Sequence, residues 1–351
     1  MRRFLHPRLL VVLAILALVL ASYAGGTAAG TGPRSSAEPC SPQAITKPAP
    51  EPGEKQHLVI ATGGTGGVFF AYGGGLARVL SAKLPGAKVT AEVTGGSVDN
   101  INLIDLGDAD IALSTVDSAY DAYKGQEVYE KVGVVPVCTI AVLYRSYAHV
   151  VTLEDMGINS IADLKGKRVS VGSAGSSTEA VADRLLEAAG LNPKADVGRD
   201  NLSVAESVGA LKDRKIAAFF WVGGLPTSAV TDLVNTPGIR AKFLPSGDYL
   251  KPLSDKYGAV YVPAAMPKGG NYKLEQEVPS LGVDNLLIVN GRVSEQQVYN
   301  ILKTWFDNLE DVQQAHPEAR KLKLDTAAKG SPIPFHPGAI RFYQERGVWQ
   351  P

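Results

Sequence analysis

The side chains best suited to holding a ligand in this chain are small hydroxyls and glycines gathered where apolar runs stop. Leu58-Val59-Ile60-Ala61 gives way to Thr62-Gly63-Gly64-Thr65-Gly66-Gly67, and helical spacing then places Val68, Ala71, Gly75, Leu76 and Val79 on one face. The pattern predicts a strand, a glycine-rich turn and a helix. Such a turn presents backbone N–H groups at the positive end of a helix, which suits an anion, although a sharp turn alone also calls for glycine. Three more apolar runs end in the same way, at Thr94-Gly95-Gly96-Ser97, at Ser114-Thr115 and at Ser173-Ala174-Gly175-Ser176-Ser177. Neither phosphate motif fits the first turn. No Lys follows its glycines as a P-loop requires, and the dinucleotide spacing G-x-G-x-x-G does not match. Phe69-Phe70-Ala71-Tyr72 follows instead, which favours a small organic ligand under an apolar cover.

Other chemistries find little support. There is no Gly-x-Ser-x-Gly elbow and no Cys/His nucleophile pair, so no enzyme activity is expected. His6, His57, His149, His316 and His336 lack metal-ligand spacing, and neither a metal nor a cofactor is expected. Lys+Arg and Asp+Glu both number 35, so no bulk charge points to nucleic acid or an anionic membrane. A monomer is expected.

The 351 residues suffice for about two domains. At the amino terminus, basic residues from Arg2 to Arg8 precede the apolar run Leu9–Ala21 and the small residues Ser22-Tyr23-Ala24. That order predicts an export signal over residues 1–24, cleaved or retained as an anchor, and a periplasmic or extracellular location. Residues 25–57 are rich in Gly, Ala, Pro, Ser and Thr and read as a flexible linker outside the fold. Cys40 falls in that linker and Cys138 in an apolar strand pattern, so the two look poorly placed for a disulfide and Cys138 reads as a small core residue.

Strands alternating with helices predict an α/β fold with a mostly parallel sheet, with ligands outside the carboxyl ends of its strands. The design of the first turn returns at Val169–Ala189, which marks a second α/β lobe. Two lobes with a cleft between them follow, lobe 1 from 58–144 plus 262–351 and lobe 2 from 145–261. Two crossings of the chain would form a hinge that closes on the ligand. Ser294–His316 reads as one long amphipathic helix capped by Ser294. Arg145, at the predicted crossover, is the nearest candidate for a carboxylate clamp.

Five blocks, taken together, resemble the TAXI family of solute-binding proteins that serve TRAP-type membrane transporters. They are Ala61–Phe70, Thr94–Asn100, Lys165–Gly172 with Gly175–Glu179, Phe219–Gly224, and His336–Ala339. The resemblance spans Leu58 to Trp349. It implies a two-lobed type II periplasmic-binding fold and a small carboxylate ligand such as glutamate, glutamine or a 2-oxoglutarate-like acid. It implies TRAP membrane subunits as partners, with a ligand-sensing role toward a membrane partner as the alternative. By the same resemblance, Thr65 and Gly66 would offer donors and Phe70 or Tyr72 would cover the ligand. Ser97 and Ser114 or Thr115 would line the next turns. Ser173, Gly175, Ser176 and Thr178 would contribute from the second lobe, with Trp221 and Gly223 as the far wall. Glu179 reads either as a capping partner or as a ligand contact.

Overall fold

The computed structural model describes residues 38–51 and 54–350, so the expected export signal lies outside the described residues. The first half follows the strand–turn–helix pattern, with β1 (Gln56–Ala61), α1 (Val68–Lys83), β2 (Ala87–Glu92), α2 (Ser97–Leu106), β3 (Ile111–Thr115) and α3 (Val116–Lys124). The chain then enters the long strand β4 (Val137–Leu153). A second series follows, with β5 (Arg168–Ser170), α4 (Ser177–Ala188), β6 (Gly198–Asp200), α5 (Val204–Lys212), β7 (Ala218–Gly223), α6 (Ser228–Asn235), β8 (Ala241–Phe243) and α7 (Leu250–Tyr257). β9 (Val262–Met266) and the long β10 (Val278–Asn290) lead back to α8 (Glu295–Asp307), α9 (Leu309–Gln313), α10 (Leu324–Ala327) and α11 (Pro337–Glu345).

The strands join in the order β2-β1-β3-β10-β4-β7-β5-β6, with β8 beside β4 and β9 beside β10. Two parallel triads, β2-β1-β3 and β6-β5-β7, flank an antiparallel pair made of β10 and β4. The sheet is therefore mixed at its centre, where a mostly parallel one was expected. β4 pairs with β10 through Val137–Tyr147 and with β7 through Tyr147–Thr152, so one strand serves both triads. β10 meets β3 at Asn285–Val289 and β9 at Val278–Gly282. In each triad the central strand comes first in sequence, and the outer strand beside β10 or β4 comes last. This arrangement, with β10 inserted between β3 and β4 after the excursion through the second triad, is a type II periplasmic-binding α/β fold.

Alternation along the strands builds the layers. On β1, Leu58 and Ile60 face a core shared with Tyr72, Leu76 and Leu80 of α1, with Trp305 of α8 and with Phe342 and Tyr343 of α11. Ala61 faces the opposite core with Ile101 and Ile104 of α2. Leu76, Leu80 and Ile104 are essentially solvent-free, and each such side chain contributes about 1.5–3 kcal/mol relative to exposure.

Three expectations are corrected here. Cys40 and Cys138 form a disulfide, with Cα atoms 5.5 Å apart across 98 residues of sequence. The chain around Cys40 is also not a free tether. Pro42–Ala44 forms a 3-10 turn, Ala44 is buried, and the N–H groups of Thr46 and Lys47 donate to the Arg292 carbonyl at 3.1 and 2.8 Å. These bonds lay the segment over the end of β10 and bring Cys40 to Cys138. The long C-terminal helix expected over Ser294–His316 is also broken. Ser294 accepts the Gln297 N–H at 3.2 Å as its cap, but α8 ends at Asp307.

Candidate functional site

The carboxyl ends of both triads meet across a cavity of about 50 Å³. A buried water needs roughly 10–15 Å³ of such space, so the cavity has room for a small molecule. The β1–α1 turn supplies Gly63, Gly64 and Gly67 to its wall, the β2–α2 turn Gly95 to Ser97, and the end of β3 Thr115. The second triad supplies Ser173, Ser176, Ser177, Thr178, Ser203, Trp221 and Gly223. β4 supplies Tyr144 and Ser146, two residues apart and hence on one face of the strand.

Close backbone approach explains two of the glycines. Gly96 has φ +126°, a conformation rare for L side chains, and a Cβ there would stand 3.2 Å from that of Ser176 across the cleft. At Gly67 a Cβ would lie 3.1 Å from the Trp221 ring and 3.2 Å from the Gly64 carbonyl oxygen. The halves are also joined by hydrogen bonds. Asp99 N–H donates to Gly175 O at 2.9 Å, Ser228 Oγ to Gly66 O at 2.9 Å, and Leu225 N–H to Glu318 Oε1 at 2.7 Å.

The helix starts determine the electrostatics. α1, α2, α4 and α5 all begin at the cavity wall. α4 is capped by Ser176, which accepts Glu179 N–H at 3.2 Å, and α5 by a Ser203/Glu206 capping box. α1 and α2 begin at Gly67 and Gly96, which supply no capping side chain, so the first N–H groups of α1 and those of Ser97 and Val98 in α2 stay available, while that of Asp99 is taken by Gly175 O. Each start carries roughly half a positive charge. Among the described residues that line the cavity, none is Lys, Arg, His, Asp, Glu, Asn or Gln. The wall is thus positive through backbone dipoles and carries nine hydroxyl-bearing residues. That combination accepts an anion by hydrogen bonding and has no means of nucleophilic attack assisted by a side-chain base. Among the described residues, no group of three or more His, Cys, Asp or Glu could hold a metal.

Tyr144 is the most informative of the lining residues. It is buried, and its hydroxyl has no hydrogen-bond partner among the described residues. Burial raises its pKa well above the ordinary phenol value, and the nearby Glu318 carboxylate adds to the rise. The phenol therefore stays protonated as a donor. Ser146 stands near enough to ease that shift slightly, but no hydrogen bond of normal geometry joins the two hydroxyls. The Ser146 oxygen accepts from Asn285 Nδ2 at 2.8 Å, which leaves its own proton free to donate.

Of the residues singled out from the sequence, the fold brings Ser97, Thr115, Ser173, Ser176, Thr178, Trp221 and Gly223 together around the cavity. Trp221 is half-buried, its Nε1 donates to Thr227 Oγ1 at 2.9 Å, and its ring forms wall rather than core. Six others stand off the cavity. Thr65 is exposed at the outer side of its turn, and Gly66 spends its carbonyl on Ser228. Phe69, not Phe70, faces the cavity, because neighbouring residues in a helix point about 100° apart. Tyr72 lies on the far side of α1 in the core, 6.0 Å from the Tyr144 ring and 6.3 Å from Trp305. Ser114 alternates away from Thr115 and donates to the Thr115 carbonyl at 3.0 Å. Gly175 serves the bond to Asp99 instead. Arg145 points to the face opposite Tyr144 and makes a two-pronged pair with Asp284 at 2.8 and 3.1 Å, so it is no clamp. Glu179 accepts from Gly175 N–H, Arg199 and Asn201 and is a local brace.

Sequence reasoning missed Tyr144, Ser146, Phe69, Ser177 and Ser203. Ser203 was readable as the start of a capping box, Ser203-x-x-Glu206. Tyr144 sits in an apolar run with no turn signal, and only the packing of two triads shows which face of β4 borders the cavity.

Several solved structures are similar at low identity. The periplasmic aliphatic sulphonate-binding protein SsuA of Escherichia coli is 16% identical, with 83% of this chain and 84% of that one covered and a TM-score of 0.42. The alkanesulfonate-binding protein SsuA of Xanthomonas axonopodis pv. citri, bound to MOPS, is 18% identical, with coverage of 84% and 85% and a TM-score of 0.43. The ligand-binding component of an ABC-type import system of Staphylococcus aureus, with zinc bound, is 14% identical, with coverage of 85% and 94% and a TM-score of 0.45. Topology, not these scores, carries the fold assignment. The profile of the NMT1-like family matches residues 60–347, and the chain belongs to that family.

Proposed function

We propose that this protein is an extracytoplasmic solute-binding protein that closes around one small carboxylate and delivers it to a TRAP-type membrane transporter. The observation that carries the reading is the convergence of four helix starts on a hydroxyl-lined cavity whose lining, among the described residues, includes no charged side chain. A carboxylate there replaces water with N–H and O–H donors already fixed in place. Ser97, Thr115, Ser173, Ser176 and Thr178 contact it, with Trp221 and Gly223 behind. Residues 58–144 with 262–351 form one lobe and 145–261 the other, and they hinge where β4 and β10 pass from one triad to the other. The five blocks shared with the TAXI family support the transporter assignment.

Calorimetry with a panel of amino acids, 2-oxo acids and dicarboxylates tests the ligand class. Micromolar or tighter binding of one molecule per chain, about −8 kcal/mol or better, is expected. No heat from any carboxylate would remove the reading. Trp221 emission should change on saturation, because its ring packs against the β1–α1 turn across the cleft. An unchanged spectrum would mean that the cleft does not move.

A further inference from the structure

The far wall of the cavity is braced from behind. Trp221 Nε1 donates to Thr227 Oγ1 at 2.9 Å, and that hydroxyl donates to the Gly224 carbonyl at 2.9 Å. The indole is thus fixed to the loop over residues 224–227 that follows β7. Leu225 of this loop packs on a core of the second triad with Val204 and Phe219. Its N–H, however, donates to Glu318 Oε1 at 2.7 Å.

Glu318 belongs to the half built on the first triad. It lies in the 3-10 turn Pro317–Lys321 and is fully buried, and its neighbour Ala319 sits in the core shared with α1 and α8. The chain entering this turn is seated against α1, because a Cβ at Gly75 would collide with the Ala315 side chain. A Cβ at Gly224 would stand 2.7 Å from Glu318 Cγ and 2.9 Å from the Tyr144 ring, so the loop backbone lies directly on the acid and the ring. Lys321 pairs with the carboxylate at 2.7 Å, and Glu318 N–H donates to His316 Nδ1 at 3.1 Å. The acceptor is therefore set in place for Leu225. A hydrogen bond to a charged group is among the stronger ones a protein makes.

Resting on the solute-binding reading above, we infer that Glu318 is a positioning residue for ligand capture, holding the two lobes together over the ligand by fixing residues 224–227, and through them Trp221, to the first lobe. It does not line the cavity and acts only through that loop. Closure follows ligand entry, so this clasp slows escape and leaves entry unchanged.

Stopped-flow kinetics with the tightest carboxylate of the wild-type panel test this. Glu318→Ala should raise the dissociation rate, and Kd with it, about tenfold, at an unchanged association rate. Glu318→Gln keeps an acceptor in the same place and should recover most of the loss. A merely structural role would lower Tm and leave the dissociation rate at its wild-type value. That result, or equal losses in the two variants, would overturn the inference and leave the carboxylate reading standing. Hydrogen exchange on the ligand-free chain supplies a second arm. The Asp99 N–H is bonded to Gly175 O across the cleft, and its helix packs in a different core from Ala319. Glu318→Ala should speed exchange of that amide about tenfold while the amides of α8 keep their protection. Unchanged exchange at Asp99, or equal acceleration in α8 as global unfolding would give, would overturn the inference. If no carboxylate gives heat with the wild-type protein, the carboxylate reading falls and the exchange arm alone decides on Glu318.

Discussion

Single side chains divide here into those that face the ligand and those that hold the fold shut. Arg184 of α4 belongs to the second group. It is almost fully buried, donates to Asp121 of α3 and to Tyr261 at 2.7 Å, and stacks 4.1 Å over the Tyr257 ring. Asp117, also buried, lies 3.8 Å from the same guanidinium. Two carboxylates thus share one cation across the junction of the triads. Burial raises the Asp121 pKa to about 6 against the pull of Arg184. Breaking a buried pair by removing one partner leaves an uncompensated charge and costs about 3–5 kcal/mol. Arg184→Met should therefore lower unfolding free energy by that order in urea, and adding Asp121→Asn should restore part of it. A loss under about 1 kcal/mol, the range of an exposed pair, would contradict the buried-cluster account. Little of this was legible in advance, because Asp117, Asp121, Arg184 and Tyr261 are scattered over 145 positions that only the tertiary fold brings together. Ser97, Ser176 and Thr178 were legible, because hydroxyls at helix starts have a local reason to be there.

At the scale of elements, the strand–turn–helix units followed from apolar periodicity, and their boundaries fall close to the predicted ones. Segments whose structure depends on distant partners did not. Residues 38–47 carry the composition of a linker, yet the carbonyl of Arg292 and the sulfur of Cys138 hold them on the core. The C-terminal helix breaks at Asn308, whose side chain donates back to the Thr304 carbonyl at 2.8 Å. The apolar periodicity carries no trace of that local alternative to the helical ladder. The disulfide closes a loop of 98 residues, for which the chain-entropy model gives about 4–5 kcal/mol of stabilisation. The double variant Cys40→Ala/Cys138→Ala should unfold at lower urea concentration by an amount of that order or somewhat less. It should still bind ligand, because neither cysteine borders the cavity. Equal stability of the double variant and the oxidised protein would show that the disulfide contributes nothing.

For the whole molecule, burial of two imidazoles sets how stability responds to acid. His149 and His336 are buried, and burial lowers the pKa of each to about 4. Nδ1 of His336 accepts the Gly338 N–H at 3.1 Å, which requires the neutral ring, while Nε2–H donates to Val293 O at 3.0 Å, a bond that offsets part of the lowering by burial. In the unfolded chain both return to about 6.5. Between about pH 6.5 and 4 the unfolded state therefore binds up to two protons that the folded state refuses, and stability is lost as pH falls. Asp121 works the other way. Its raised pKa of about 6 lets the folded state take a proton that the unfolded state, near 3.9, does not take until lower pH. Two imidazoles outweigh one carboxylate, so the urea midpoint should fall from pH 7 to pH 4.5. A rising midpoint over that range would contradict these assignments.

If the cavity between the triads is the ligand site, a side chain that fills it should displace the ligand. Ser177 lines the cavity at the start of α4, is buried, and makes no side-chain hydrogen bond within the described residues. Ser177→Leu should occupy the space while leaving the cap of α4, Ser176, in place. Calorimetry of this variant with the tightest carboxylate of the wild-type panel should show affinity reduced at least about 100-fold, roughly 2.7 kcal/mol, in a protein that still unfolds cooperatively. Wild-type affinity in Ser177→Leu would mean that the ligand is bound somewhere other than this cavity.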